Sequence, residues 1–163
     1  MINELNVKIC PDFEENHLIL SVDENLRERY LYLGHPTNSI ITYSINFNGG
    51  LLLLGLNNYH ILNSLELNIY RKQWKSIDLN PLKPSSTING CIDFVNIITR
   101  HNEFDITPNV YTDEIESAAL IEIETCKESD WYWVTISDNC FVKIYDNHVI
   151  GFWINLSNSQ EHT

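Results

Sequence analysis

The residues of this 163-residue chain best suited to catalysis or metal binding are its six histidines and four cysteines. Their spacing assembles no site. His17, His35, His60, His101, His148 and His162 are scattered, with no two at metal-ligand separation. Cys10, Cys91, Cys126 and Cys140 show no CxxC or other tight pairing. His60, in Asn57-Asn58-Tyr59-His60, could be a base or ligand, or simply a solvated loop histidine. Cys126 or Cys140 could pair with His148 as nucleophile and base if the fold joined them. Glu122 and Glu124 share one strand face, as an acid–base pair or as a solvated face. The chain has no GxGxxG, Walker loop, HExxH or GxSxG. An enzyme would need a pocket of converging titratable groups, and the sequence nominates none. The expectation is a non-enzyme with no catalytic residue, no metal and no cofactor.

Charge is more informative. The formal net charge is −12. Between Asp113 and Asp130, 18 residues hold seven acidic side chains (Asp113, Glu114, Glu116, Glu122, Glu124, Glu128, Asp130) against Lys127 alone. That block carries half the excess and runs into Trp131-Tyr132-Trp133, the densest aromatic cluster. An acidic protein repels phosphates and anionic membranes, so no nucleic-acid or membrane partner is expected. The start lacks the basic region and apolar run of a signal peptide. The longest apolar run, Leu51–Leu54, is far short of the ~20 residues that span a bilayer. Cytoplasmic residence is the default, with four reduced, mostly buried thiols.

These groups must be positioned by strands. Length and a hydrophobic content of 44% fit one globular domain, residues 1–163, with its own core. The dominant period is two. Leu18, Leu20 and Val22 share a face, as do Ile41, Tyr43, Ile45 and Phe47. Asn48-Gly49-Gly50 then marks a hairpin into Leu51. Segments 64–70 and 119–124 alternate again, and a second hairpin turns at Asp146-Asn147-His148. Tyr30-Leu31-Tyr32-Leu33 echoes Trp131-Tyr132-Trp133-Val134. A three-stranded meander written twice would explain the echo, although any two meanders look alike at this level. One segment breaks the period: Ile88, Cys91, Ile92, Val95 and Ile98 recur at helical spacing after Ser85-Ser86-Thr87, which predicts a helix over 87–100 despite Gly90. Residues 72–84, with Pro81, Pro84 and a basic charge, read as the linking loop. The expected fold is mainly β, a β-rich α+β chain: an antiparallel sandwich or barrel-like meander of seven to nine strands with one helix.

On a strand, Trp131 and Trp133 take one face and Tyr132 the other. Burying the tryptophans would expose Tyr132 among carboxylates, an anchor for an arginine- or lysine-rich partner. The candidate partner-binding residues are Glu114, Glu116, Glu122, Glu124, Glu128, Asp130 and Tyr132. The competing site is the loop of Asp23, Glu24 and Glu28. A small, acidic, motif-free, β-rich chain with this acidic block and aromatic run resembles the bacterial toxin-immunity proteins of contact-dependent growth inhibition systems. That likeness is one of overall character and assigns no residue a role. It implies a one-to-one complex that blocks the active site of a cognate basic toxin domain, commonly a nuclease, in the producing cell's cytoplasm. The alternative is a β-barrel carrier of a small lipid-like molecule.

Overall fold

The computed structural model describes residues 6–10, 18–24, 28–34, 41–47, 50–95, 108–127, 129–157 and 160–161. Strands dominate. They are β1 (Val7–Cys10), β2 (Ile19–Glu24), β3 (Glu28–Gly34), β4 (Ile41–Phe47), β5 (Gly50–Leu56), β6 (Leu62–Tyr70), β7 (Trp74–Ser76), β8 (Thr87–Asn89), β9 (Cys91–Phe94), β10 (Asn109–Thr112), β11 (Ala118–Glu122), β12 (Tyr132–Ser137), β13 (Cys140–Tyr145), β14 (His148–Asn155) and β15 (Gln160–Glu161). The fifteen strands among the described residues exceed the seven to nine expected. Helical backbone among the described residues is confined to 3-10 turns, including Arg71–Gln73 and Asn80–Leu82. The sheets do not close into a barrel; two larger sheets share one apolar core in the manner of a sandwich.

The helix expected over 87–100 is not formed where it can be checked. Residues 87–94 make β8 and β9, broken at Gly90, and residues 96–100 lie outside the described part. The helical spacing of the apolar residues has another cause. Cys91, Ile92 and Phe94 are all buried because β9 is covered on both faces, which erases the period of two. Gly90 is costly inside a helix. Here it allows close packing, since a Cβ would come within 2.8 Å of the Cys10 carbonyl oxygen. Its N–H donates to Thr135 O at 3.2 Å.

The first sheet runs β15-β2-β3-β6-β5-β4 and the second β7-β10-β11-β14-β13-β12-β8. Inside them lies one plan used twice: β2-β3-β6-β5-β4 and β10-β11-β14-β13-β12, with every neighbouring pair antiparallel. The next strands are exchanged. β7 follows the first set but pairs parallel with β10 of the second. β15 follows the second set but pairs parallel with β2 of the first. The strands that precede the sets, β1 and β9, pair antiparallel with each other. Matching contacts flank that pair: Val7 N–H donates to Asn147 O at 2.7 Å, and Phe94 N–H to His60 O at 3.0 Å. The halves are thus related by a pseudo-twofold. The sequence echo aligned the wrong strands. Residues 30–33 belong to β3, second in its set. Residues 131–134 lead into β12, whose counterpart is β4.

Period two places the core as expected. Leu20, Leu31, Leu33, Tyr43, Ile45, Leu65, Leu67 and Ile69 face the second sheet, with Val22 and Ile41 packed at the margin. Val134, Val142, Phe152 and Ile154 face back. Both hairpins form, Phe47 pairing with Gly50 and Tyr145 with His148. Asp146 and Asn147 take positive φ, as a two-residue hairpin turn requires. The outer face of the second sheet is covered as well. The 77–82 segment lies over it, burying Leu79 with Ala118, Leu120, Trp133 and Trp153. The expected linking loop is therefore part edge strand, part lid for a second small core.

Candidate functional site

The acidic block divides into two sites. It enters the β10–β11 turn at Asp113, passes along β11, and emerges at Glu122. β11 spans five residues, so Glu114 and Glu116 are separated from Glu122 and Glu124 by the length of the strand, on the order of 15 Å or more. Glu114 and Glu116 therefore do not form one continuous surface with Glu122 and Glu124.

At the far end Glu122 faces a cation of the same chain. Glu122 and Lys143 both pair with Gly151 of β14 from opposite sides, and cross-strand partners share a face. Gly151 has no side chain to separate them. Lys143 is half-buried, its Nζ 4.1 Å from the centre of the Trp131 ring and 5.7 Å from that of Trp133. Burial lowers its affinity for a proton, while the negative charge of Glu122 opposes that shift. Burial, and then Glu122, likewise raises the Tyr111 hydroxyl. Glu124 lies beyond the strand and is half-buried, Asp130 is exposed, and Glu128 lies outside the described residues.

Two aromatic expectations are corrected. Trp133 is buried, but Trp131 is 36% exposed and stacks edge-on against it. β12 begins at Tyr132, so Trp131 precedes the paired strand and escapes the cover over Trp133. Tyr132 is half-buried and packs against the main core, on the face of Val134 and Ile136. The outer face of this sheet is covered too, so this strand carries apolar residues on both sides.

The near end is different. The turn Asp113-Glu114-Ile115-Glu116-Ser117 is tied down by its own side chains. Asp113 accepts the Ser117 N–H on Oδ1 at 2.6 Å and the Ser117 hydroxyl on Oδ2. Glu116 N–H donates to Asp113 O at 3.0 Å, and Leu156 N–H donates to Ser117 O at 2.8 Å. Thr112 Oγ1 donates to Ala118 O at 3.0 Å. Glu116 holds φ at 54° and forms an ion pair with Arg29 of β3. Arg29 is only 3% exposed and stacks on Trp74 at 4.7 Å. In this turn Glu114, Ile115 and Glu116 are all exposed, Ile115 at 83%. A recess of about 180 Å³ adjoins it, lined among others by Arg71, Trp74, Asp113 and Glu114.

Two residues of this turn's surroundings were not read from sequence. Ile115 was legible as an isoleucine between two glutamates inside a five-residue Asp-to-Ser turn. Arg29 was legible as a cation on the buried parity of Leu31 and Leu33. The competing acidic loop joins β2 to β3 and corresponds to the β10–β11 turn in the other half. Asp23 there is exposed, and Glu28 lines a shallow recess with Asn68 and Tyr70.

Burial would raise the Asp113 carboxyl, but hydrogen bonds from Ser117 and Ala118 outweigh it and hold the group below its ordinary value of 3.8. A carboxylate depressed on folding stabilises the fold above its unfolded value, and the contribution is lost as pH falls through the folded one. Asp113→Asn is therefore expected to lower the thermal midpoint at neutral pH, with the gap from wild type closing below pH 3.8. A gap that is constant with pH would show that the ionised form contributes nothing.

The other reactive residues have structural places. Cys140 is fully buried in β13, and burial pushes its thiol up, away from the thiolate. It pairs with Ile154, whereas His148 pairs with Tyr145 at the opposite end of the same hairpin, so this pair does not meet. His148 Nδ1 lies 2.7 Å from Asp146 O. His60 occupies a positive-φ turn position and uses its carbonyl to hold β9. Among the described residues, no three His, Cys, Asp or Glu side chains gather as a metal site. No helix of the described residues is long and apolar enough to cross a membrane. Comparison with family models, curated proteins and solved structures found no match to this chain.

Proposed function

We propose that this chain is an inhibitor of the immunity type, which binds a cognate basic toxin domain, nuclease-like in its charge, and covers its active site in the producing cell's cytoplasm. The observation that carries this reading is the β10–β11 turn, a locked loop that presents an exposed isoleucine beside a carboxylate on a protein of net charge −12. A nuclease groove is basic because it must hold phosphates. Glu114 supplies negative charge for such a groove, and Ile115 supplies an apolar anchor. The turn is already ordered by Asp113, Ser117 and Arg29, so little conformational entropy is lost on docking. The overall negative charge speeds encounter with a basic surface. Glu116 serves the turn rather than the partner. Glu122 is answered by Lys143, which leaves it, Glu124 and Asp130 a peripheral electrostatic part. The carrier reading rested on a closed barrel, which the two sheets do not form.

The test takes the protein encoded by the neighbouring gene. Its toxic domain is expressed alone and together with this chain, and the purified pair is measured for stoichiometry and for association rate at low and high salt. The expected result is restored growth, a one-to-one complex, and association that slows as salt rises. Growth that stays arrested, with no complex at micromolar concentrations, would overturn the proposal.

A further inference from the structure

The two halves of the fold are joined where β1 lies against β9. Cys10 is the last residue of β1 and Cys91 the first of β9, and the register places them directly opposite each other. They are 81 residues apart in sequence. Val95 N–H donates to Asn6 O at 3.2 Å. Hydrogen-bonded pairs recur at every second position of an antiparallel ladder, so the 8/93 and 10/91 pairs belong to that class. The Cα separation for that class is about 5.5 Å, inside the roughly 4.4–6.8 Å window of a disulfide. Both sulfurs lie close to the opposing strand: Cys91 Sγ is 3.7 Å from Cys10 O, and Cys10 Sγ is 4.0 Å from Asp93 Oδ2. Directly opposed residues share a face, so a change of side-chain rotamer is enough to turn the two sulfurs toward each other. The pair sits at the strand ends, where the backbone yields most easily to the remaining approach. Cys10 is half-buried and Cys91 buried, which gives one accessible thiol and one sheltered thiol.

We propose that Cys10 and Cys91 are a reversible thiol pair, which closes to a cross-strand disulfide by exchange with a low-molecular-weight disulfide and staples the two halves together. The accessible Cys10 sulfur attacks the small disulfide, forms a mixed disulfide and releases one small thiol. Cys91 sulfur then attacks Cys10 sulfur, the mixed bond breaks, and a second small thiol leaves. The two protons from the cysteines end on the two released thiols, so the small disulfide is reduced as the protein pair is oxidised. The closed bond ties the chain across most of the first half and removes freedom from the unfolded state. The oxidised protein is therefore the more thermostable form, and its two sheets are harder to pull apart. This device is independent of the partner-binding turn.

The experiment treats the folded full chain with oxidised glutathione, alkylates the remaining thiols and maps the peptides by mass spectrometry. The expected result is a peptide linking Cys10 to Cys91, cleaved by dithiothreitol, with Cys126 and Cys140 alkylated. The thermal midpoint rises on oxidation of the wild type and of Cys126→Ser, and does not move for Cys10→Ser or Cys91→Ser. If Cys91→Ser fails to fold, Cys10→Ser, altered at the less buried position, carries the comparison. Three results would overturn the proposal: glutathione retained on Cys10 with no linked peptide, a link between other cysteines, or four thiols that remain alkylatable.

Discussion

Alanine in place of Ile115 is expected to leave the fold unchanged and to weaken the complex with the basic partner about 30-fold, or ~2 kcal/mol. The two halves of that expectation have separate causes. Ile115 is 83% exposed, so the folded chain gains almost nothing from its side chain. Substitution at such a position stays within about 0.5 kcal/mol of wild type. The same exposure leaves it a large apolar surface to bury when a partner arrives, and its turn is already ordered by Asp113 and Ser117. The loss should fall on the dissociation rate, because a central apolar contact forms after encounter. Glu114→Lys in the same turn should act on the other step, slowing association and weakening its dependence on salt. Affinity of Ile115→Ala equal to wild type, with Glu114→Lys also silent, would place the interface away from this turn.

The second expectation is that Glu116→Ala lowers stability by about 2 kcal/mol, a fall of roughly 4–8 °C in thermal midpoint for a chain of this size, with little direct effect on affinity in the folded protein. Arg29 is 3% exposed and Glu116 is 47% exposed. Removing the carboxylate takes an opposite charge away from a buried guanidinium. That penalty reaches about 3–5 kcal/mol for fully buried pairs. It is discounted here because water reaches Glu116 and because Trp74 also faces Arg29. Glu116 also holds a positive φ, a backbone strain that alanine keeps while losing the ion pair that offsets it. Arg29→Met, which removes the buried charge but keeps an apolar stem, should cost less than Glu116→Ala, and in the Arg29→Met background Glu116→Ala should cost little more. Equal and additive losses in the two single variants would show that the pair is not coupled. The comparison also separates two neighbours in sequence: Ile115 is expected to act on the partner and Glu116 on the fold.

Much of this molecule was already determined by local pattern. Alternation at 18–22, 41–47 and 64–70 specified strands and their buried faces, because a strand with one wet side must alternate. Asn48-Gly49 and Asp146-Asn147 specified two hairpins, because few residues accept the backbone of a two-residue turn. What tertiary structure decided is wherever two coverings meet one element. Cys91 and Ile92 lost their period under cover on both faces and, with the exposed Ile88 and Val95, imitated a helix. Tyr132 turned inward because the outer face at Trp133 was claimed by Leu79 and its neighbours. The exchange of β7 and β15 between halves is invisible locally, since each pairs with a strand more than thirty residues away. The acidic block looked continuous along the chain, yet a strand carries its two ends apart, so that Glu122 meets Lys143 while Glu114 and Ile115 are left at the surface. Neighbours in sequence share a site only when the backbone between them turns, and at Asp113–Ser117 it does.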